Sequence, residues 1–445
     1  MTKTIAFIFL VLLVSAAWAG NPAKFVVTAD WAGPEFVGCG VEMHPYVYCE
    51  PNWPEKINEK NAPEYEKKLI EMGPQHVRIF AEYEWWQADR AKPERKESFF
   101  KVVELAKRAG ATVNMTMWHG PYYPSVKATA EAFADGVYEA IEKRGLTNVQ
   151  YVTLQNEVNY TWIKPPMYIE LYRAFDQALK DRGIRQKIKI VGGDLVSEHQ
   201  VMWLGELAEN LNDVLDGYST HQYSEYWDSE HMLKRIAEVP MIVSGLQKEQ
   251  QKPLYLTEFN CYGHHETVGT SGTDEFGTPL GKTKVLADFN AWLMLEGINR
   301  GYVAMLAWED CDFWYGAGHK RPMHGLIRGP DENFELTPMY HLMRMFTHST
   351  AAGWRAVKVR GDWENQSAAC MKGPKAEMAV FVQNRGKESH EIEIEGLPSN
   401  MQFQLQIFDG TMKKAADVTA DEKGMTTVKM AAATVGVLTT ASQDK

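Results

Sequence analysis

Gln150-Tyr151-Val152-Thr153-Leu154-Gln155-Asn156-Glu157 reads as a short β-strand that ends on an asparagine–glutamate pair. Strand parity puts Tyr151, Thr153, Gln155 and Glu157 on one face and Val152 and Leu154 on the other, where a helix layer would cover them. About a hundred residues later, Pro253-Leu254-Tyr255-Leu256-Thr257-Glu258-Phe259 repeats the design, an apolar strand whose tip is a glutamate. The interval holds three further strand-and-helix patterns. The two tips are thus the fourth and seventh of a series.

Working outward from that pair, short apolar strands alternate with amphipathic helices along most of the chain. Strands are expected at residues 36–43, 75–80, 112–117, 151–155, 187–193, 215–220, 254–257 and 302–307. Helices are expected at 63–72, 94–109, 126–144, 166–182, 199–211, 230–250, 282–296 and 339–348. Gly73, Gly110, Gly145, Gly183 and Gly297 stand just past helix ends, and Pro63 and Pro166 sit in first turns. Eight β-then-α units predict a parallel sheet closed into a (β/α)₈ TIM barrel, an α/β fold. A doubly wound open sheet would carry a G-x-G-x-x-G turn after its first strand, and Gly38-Cys39-Gly40 is too short for one.

Beyond residue 351 the period changes to two, with runs at 357–359, 377–383, 391–394, 402–408, 426–430 and 436–440. Gly386, Pro398, Gly410 and Gly424 separate them. The expectation is a small all-β domain, an antiparallel β-sandwich over 351–445, following a catalytic barrel over 24–350. Residues 24–30 are a candidate further strand of the β domain.

The 445 residues carry a net charge of −11 and no basic patch, which argues against nucleic acid as a partner. Residues 1–19 have the form of a signal peptide: Lys3, an apolar run over 5–14, and Ala17-Trp18-Ala19 as a cleavage site. The expectation is a secreted or periplasmic protein with no membrane segment after cleavage. Cys39, Cys49, Cys261, Cys311 and Cys370 lack C-x-x-C spacing, so they predict neither a disulfide framework nor structural zinc. Cys39 and Cys49 can be read as one local bridge or as buried thiols.

In a barrel of this kind chemistry sits at the C-terminal ends of the strands. Those ends offer Arg78; Trp118 and His119; Asn156 and Glu157; His221 and Tyr223; Glu258; and Trp308. Asp194 ends the fifth strand with no role assigned. Trp85, Tyr122, Trp162 and Trp227 lie in the same loops. The set resembles the retaining glycoside hydrolases of clan A, over about residues 36–350. The resemblance rests on Val77-Arg78-Ile79, Asn156-Glu157, Tyr223, Glu258 and Trp308, in that order along the strands. It implies Glu157 as acid/base, Glu258 as nucleophile, Arg78 and Tyr223 as supports of the nucleophile, and Trp308 as a sugar platform.

The chemistry agrees with that resemblance. Retention needs two carboxyl groups about 5–5.5 Å apart, one protonated and one ionised. Burial and the partner's charge would raise the pKa of Glu157, while Arg78 and the Tyr223 hydroxyl would keep Glu258 ionised. Asn156 would bond the sugar 2-OH, and flat aromatic surfaces would receive sugar rings. The expected function is hydrolysis of a β-linked glycan, polysaccharide or derived oligosaccharide, without cofactor or metal. The aromatic-rich loops favour endo over exo action. Two other readings fit the same barrel: a non-catalytic carbohydrate-binding or scaffold protein, and a metal-dependent hydrolase. The second lacks the clustered His and Asp ligands that chemistry needs. His119 and His221 also read as satisfied structural histidines, and Glu309, Asp310 and Asp312 as a solvated loop. The N-x-S/T triplets at Asn114, Asn159 and Asn365 read as chance.

Overall fold

The computed structural model describes residues 22–49, 57–118, 122–196, 200–265, 271–312, 324–361 and 364–440. The expected signal peptide and His119 lie outside the described residues. Strand β1 (Ala23–Glu35) comes first. Eight parallel strands then pair in sequential order and close on themselves: β2 (Gly38–Met43), β3 (His76–Ala81), β4 (Thr112–Met117), β5 (Val149–Thr153), β6 (Lys189–Leu195), β7 (Gly217–Glu225), β8 (Leu254–Tyr262) and β9 (Tyr302–Ala307). One helix follows each: α1 (Ala62–Met72), α2 (Pro93–Arg108), α3 (Val126–Tyr138), α4 (Pro165–Asp181), α5 (Gln200–Asn210), α6 (Ser229–Ser244), α7 (Lys284–Asn299) and α8 (Pro338–Ser349). This is a TIM barrel with the expected order of elements.

The strand parity expected around Tyr151 holds inside β5. Tyr151 points into the barrel, its ring 4.9 Å from His76 and 5.9 Å from Tyr255, whereas Val152 joins the barrel–helix core. The strand stops at Thr153, two residues short of the expected end, and both Gln155 and Glu157 take left-handed backbone conformations with φ of 70° and 47°. Two tyrosines of α4 fasten this turn: Tyr172 donates to the Val191 carbonyl and accepts from the Leu154 amide, and Tyr168 donates to the Leu154 carbonyl. Glu157 is aimed by a turn and not by strand alternation.

The remaining strands are β10 (Arg355–Arg360), β11 (Gln366–Lys372), β12 (Met378–Asn384), β13 (His390–Glu395), β14 (Gln402–Phe408), β15 (Met412–Lys414), β16 (Val418–Thr419), β17 (Thr426–Met430) and β18 (Thr434–Thr439). They form one ten-stranded sheet with β1 in its interior, in the order β15-β14-β18-β12-β11-β10-β1-β13-β17, with β16 beside β14. The sheet is mixed where an antiparallel sandwich was expected, because β1 pairs antiparallel to β10 but parallel to β13. Pairing the chain's first strand with its late ones requires a connection through the whole barrel, which local periodicity does not encode.

Both faces of the sheet are covered, and residues alternate between two cores. Ala368, Cys370, Val380 and Val382 pack within the sheet's own core with Phe25, Ile392 and Val428. Ala369, Met371, Phe381 and Val437 instead join the barrel core. Phe381 stacks on Phe346 of α8 with centroids 4.3 Å apart, and Gln383 donates to the Asp288 carbonyl of α7. All five cysteines are buried and free. Asn114 is fully buried and bonded to Thr153, as a site without a glycan must be.

Candidate active site

Arg78, the third residue of β3, is fully buried inside the barrel. A guanidinium has five N–H donors and no acceptor. Here five acceptors surround it: Nε donates to Thr116 Oγ1 (3.2 Å), Nη1 to Glu42 Oε2 and Glu258 Oε2 (2.7 Å each), and Nη2 to Asn156 Oδ1 (2.5 Å) and Asp194 Oδ2 (2.6 Å). Its Cζ lies 4.4 Å from the centre of the Phe80 ring. Burial pulls the guanidinium pKa down, but Asp194, Glu42 and Glu258 outweigh burial and raise it. The arginine is a fixed cation from which five side chains take their orientation.

Glu258 has both oxygens held, Oε2 by Arg78 and Oε1 by the Tyr223 hydroxyl at 2.7 Å. Burial first, then the Glu258 charge, pushes the Tyr223 phenol well above its ordinary value, so it stays a donor. Tyr223 stacks on Tyr262 with centroids 4.9 Å apart, which fixes its ring. Glu157 stands across the mouth with its side chain 32% exposed, less buried than the sequence led one to expect. His221 lies between the two glutamates, Nδ1 3.1 Å from Glu157 Oε1 and 3.7 Å from Glu258 Oε2. One atom of each of these three residues lies within 4.8 Å of the others. Burial would lower the His221 pKa, but Glu258, Asp194 and Glu157 raise it to about 10, so the imidazole is a cation at neutral pH. Glu258 therefore faces two cations, Arg78 and His221, and Glu157 shares the second.

Sequence had left Asp194 without a role and had missed Glu42. Asp194 is fully buried, receives Arg78 and the Thr257 hydroxyl (2.6 Å), and lies 3.7 Å from His221 Nε2. Burial pushes its carboxyl up, yet Arg78, His221 and Thr257 together hold it well below the usual carboxylate range. Glu42, near the end of β2, is 2% exposed. An acidic residue in the last turn of a strand otherwise made of small and apolar residues was the only available signal.

Asn156 receives Arg78, so its amide oxygen must face the guanidinium and its NH₂ must face away. Trp118 and Trp308 are half-buried and flank Phe80, with centroids 3.9 Å and 6.3 Å from it. Phe80, another residue missed in the sequence, thus links both tryptophans to the arginine. Trp85 is buried packing and no platform. Tyr123, Tyr160, Trp162, Trp227 and Phe276 are exposed in loops after β4, β5, β7 and β8, and Trp227 stacks on His264 at 4.1 Å. The loop at Glu309, Asp310 and Asp312 is buried and not solvated. Asp310 accepts from Tyr65, and burial lifts its carboxyl to about 7; Asp312 pairs with Arg328.

Ladder irregularities coincide with three of these residues. The register shifts between Gly192 and Leu195, between Thr220 and His221, and between Leu256 and Phe259. On β8, Tyr255 points inward, Leu256 outward and Thr257 inward. Alternation would turn Glu258 outward, and the irregularity keeps it facing Arg78.

The fold, barrel and β domain together, is that of clan A glycoside hydrolases. Superposition gives a TM-score of 0.68 with a GH30 endoxylanase from Clostridium papyrosolvens C71, at 12% identity over 94% of this chain and 100% of that one. An α-L-arabinofuranosidase from Thermotoga maritima gives 0.67 at 12% identity, over 94% and 100%. An endo-β1,6-glucanase gives 0.65 at 13%, over 95% and 94%. At such identities the likeness concerns the fold. No protein-family model matches the sequence, and no curated protein matches it.

Proposed function

We propose that the protein is a retaining glycoside hydrolase acting by double displacement. The observation that carries this reading is the pairing of Glu157 and Glu258 across the barrel mouth, one oxygen of each within 4.8 Å of the other, with both oxygens of Glu258 pinned. That separation suits direct attack on the sugar, whereas an inverting pair stands about 6.5–9.5 Å apart to admit a water.

In the first step Glu258 attacks the anomeric carbon while Glu157 gives its proton to the leaving oxygen. The bond from that carbon to the leaving oxygen breaks and an ester to Glu258 forms. Negative charge passes from Glu258, beside Arg78, to Glu157, beside the His221 cation. In the second step Glu157 takes a proton from water, the water oxygen bonds to the anomeric carbon, and Glu258 departs as a carboxylate. The Asn156 NH₂, turned away from Arg78, is available to the sugar 2-OH, and Trp118 and Trp308 offer ring faces.

The substrate we propose is a β-linked glycan with several sugar units in the cleft. The exposed aromatics in the loops after β4, β5, β7 and β8 support endo action over exo action. Export is part of the proposal and is supported by the signal-peptide form of residues 1–19; no described helix is long and apolar enough to cross a membrane. The test is incubation with glucans, mannans, xylans and galactans, products read by mass spectrometry and the first anomer by proton NMR. A retained anomer is expected; an inverted one removes Glu258 as nucleophile.

A further inference from the structure

The double-displacement cycle gives Glu42 no task, yet this buried carboxyl shares Arg78 Nη1 with Glu258, each oxygen at 2.7 Å. The other nitrogens of the guanidinium are committed elsewhere, Nε to Thr116 and Nη2 to Asn156 and Asp194. While Glu258 is an ester it is neutral, and Nη1 loses its anionic partner on that side. Glu42 Oε2 is then the remaining carboxylate oxygen on Nη1. Were it missing, the Asp194 charge would pull a buried cation sideways, away from the position where Glu258 must regain its charge. We infer that Glu42 is a positioning residue that holds Arg78 in place during the covalent intermediate, and so governs the second step of the cycle more than the first. The inference rests on the double-displacement reading.

Charge supports the geometry. Burial first holds the Glu42 carboxyl well above its ordinary value; Arg78 and His221 pull against that, and the Glu258 charge adds to it. Esterification removes the push from Glu258. Glu42 thus bears more negative charge when Arg78 most needs a partner. In the free enzyme the order is reversed, with Glu258 ionised and its own hold on Nη1 intact.

The experiment treats the full-length mature protein with dinitrophenyl 2-fluoro-β-glycosides of glucose, xylose and galactose. Inactivation measures the first step and recovery of activity the second. Glu42→Gln keeps the shape and an acceptor oxygen but loses the charge; Glu42→Leu loses both. For Glu42→Gln the expected result is recovery slowed about tenfold with inactivation changed less than about twofold, and Glu42→Leu slower still in recovery. If both steps slow alike, the role is structural; if neither changes, Glu42 is a bystander. Either result overturns the inference, and Glu42→Gln alone suffices should Glu42→Leu fail to fold. Peptide mapping that finds the label on a residue other than Glu258 overturns the proposed function instead.

Discussion

A five-donor side chain met by five acceptors leaves little room for conservative change at Arg78. The two catalytic assignments make the first prediction. Replacing Glu157 by Ala should lower kcat about 10²–10⁴-fold on substrates with poor leaving groups, and much less on activated aryl glycosides. Steady-state kinetics on both substrate types checks it, and equal losses on the two would count against Glu157 as the acid. The second prediction concerns stability against pH. His221 is raised to about 10 in the folded protein from an unfolded value of about 6.5. Its contribution is complete below about pH 6.5 and disappears as pH rises through about 10. Asp194 is lowered, so its contribution is present above an unfolded value of about 3.9 and is lost as pH falls. Thermal melts should therefore be highest between about pH 4 and 6.5 where these two groups dominate. His221→Gln should flatten the alkaline side of that curve.

Elements decide where such side chains can point. Gly193 precedes Asp194 with φ of 128°, and a Cβ there would lie 2.4 Å from the Ser219 carbonyl oxygen. Gly193→Ala should therefore destabilise the protein by about 1–3 kcal/mol and displace Asp194 from Arg78. Chemical denaturation gives the first quantity, and a fall in kcat beyond that of a remote variant of equal stability gives the second. Helix ends are more forgiving. Ser125 caps α3 by accepting from the Ala128 amide at 3.1 Å, so Ser125→Ala should cost about 1 kcal/mol without touching activity. Elements were also the level at which sequence read best. Period placed all eight barrel strands and helices, because each depends on residues close in the chain. Gly73, Gly110, Gly145 and Gly183 take left-handed conformations past helix ends, but Gly297, expected as a cap, lies inside α7, which runs on to Asn299. Strand ends were less legible: β5 stops at Thr153, and β8 continues to Tyr262 past the expected end.

At the scale of the whole molecule, the barrel and the sheet share one hydrophobic core. Ala369, Met371, Phe381 and Val437 of the sheet pack with Leu342 and Phe346 of α8. Phe381→Ala should cost about 3–5 kcal/mol and lower the temperature of a single, common unfolding transition. Calorimetry that resolves two independent transitions would refute the shared core. A chain ending at Ser349 would expose this face of α7 and α8 and should aggregate.

The sequence by itself determined the barrel, the appended β domain and most of the residues at the strand tips, since hydrophobic period and turn residues act locally. Asn156-Glu157 and Glu258 were legible because each follows a short apolar run that reads as a strand, the fourth and the seventh of the series. What only the tertiary structure decided was their company. Glu42 reaches Arg78 from the neighbouring strand, and Asp194 reaches it from the far side of the barrel. Phe80 joins two tryptophans that stand far apart in the chain. The parity that should have pointed Glu258 outward is overridden by a ladder irregularity, and Glu157 is aimed by a left-handed turn. The strand expected at residues 24–30 does join the final sheet, but its place between β10 and β13, parallel to β13, was set by the tertiary structure. In each case the deciding interaction joins residues distant in sequence, and the stability gained by burying and pairing them sets aside what local periodicity predicts.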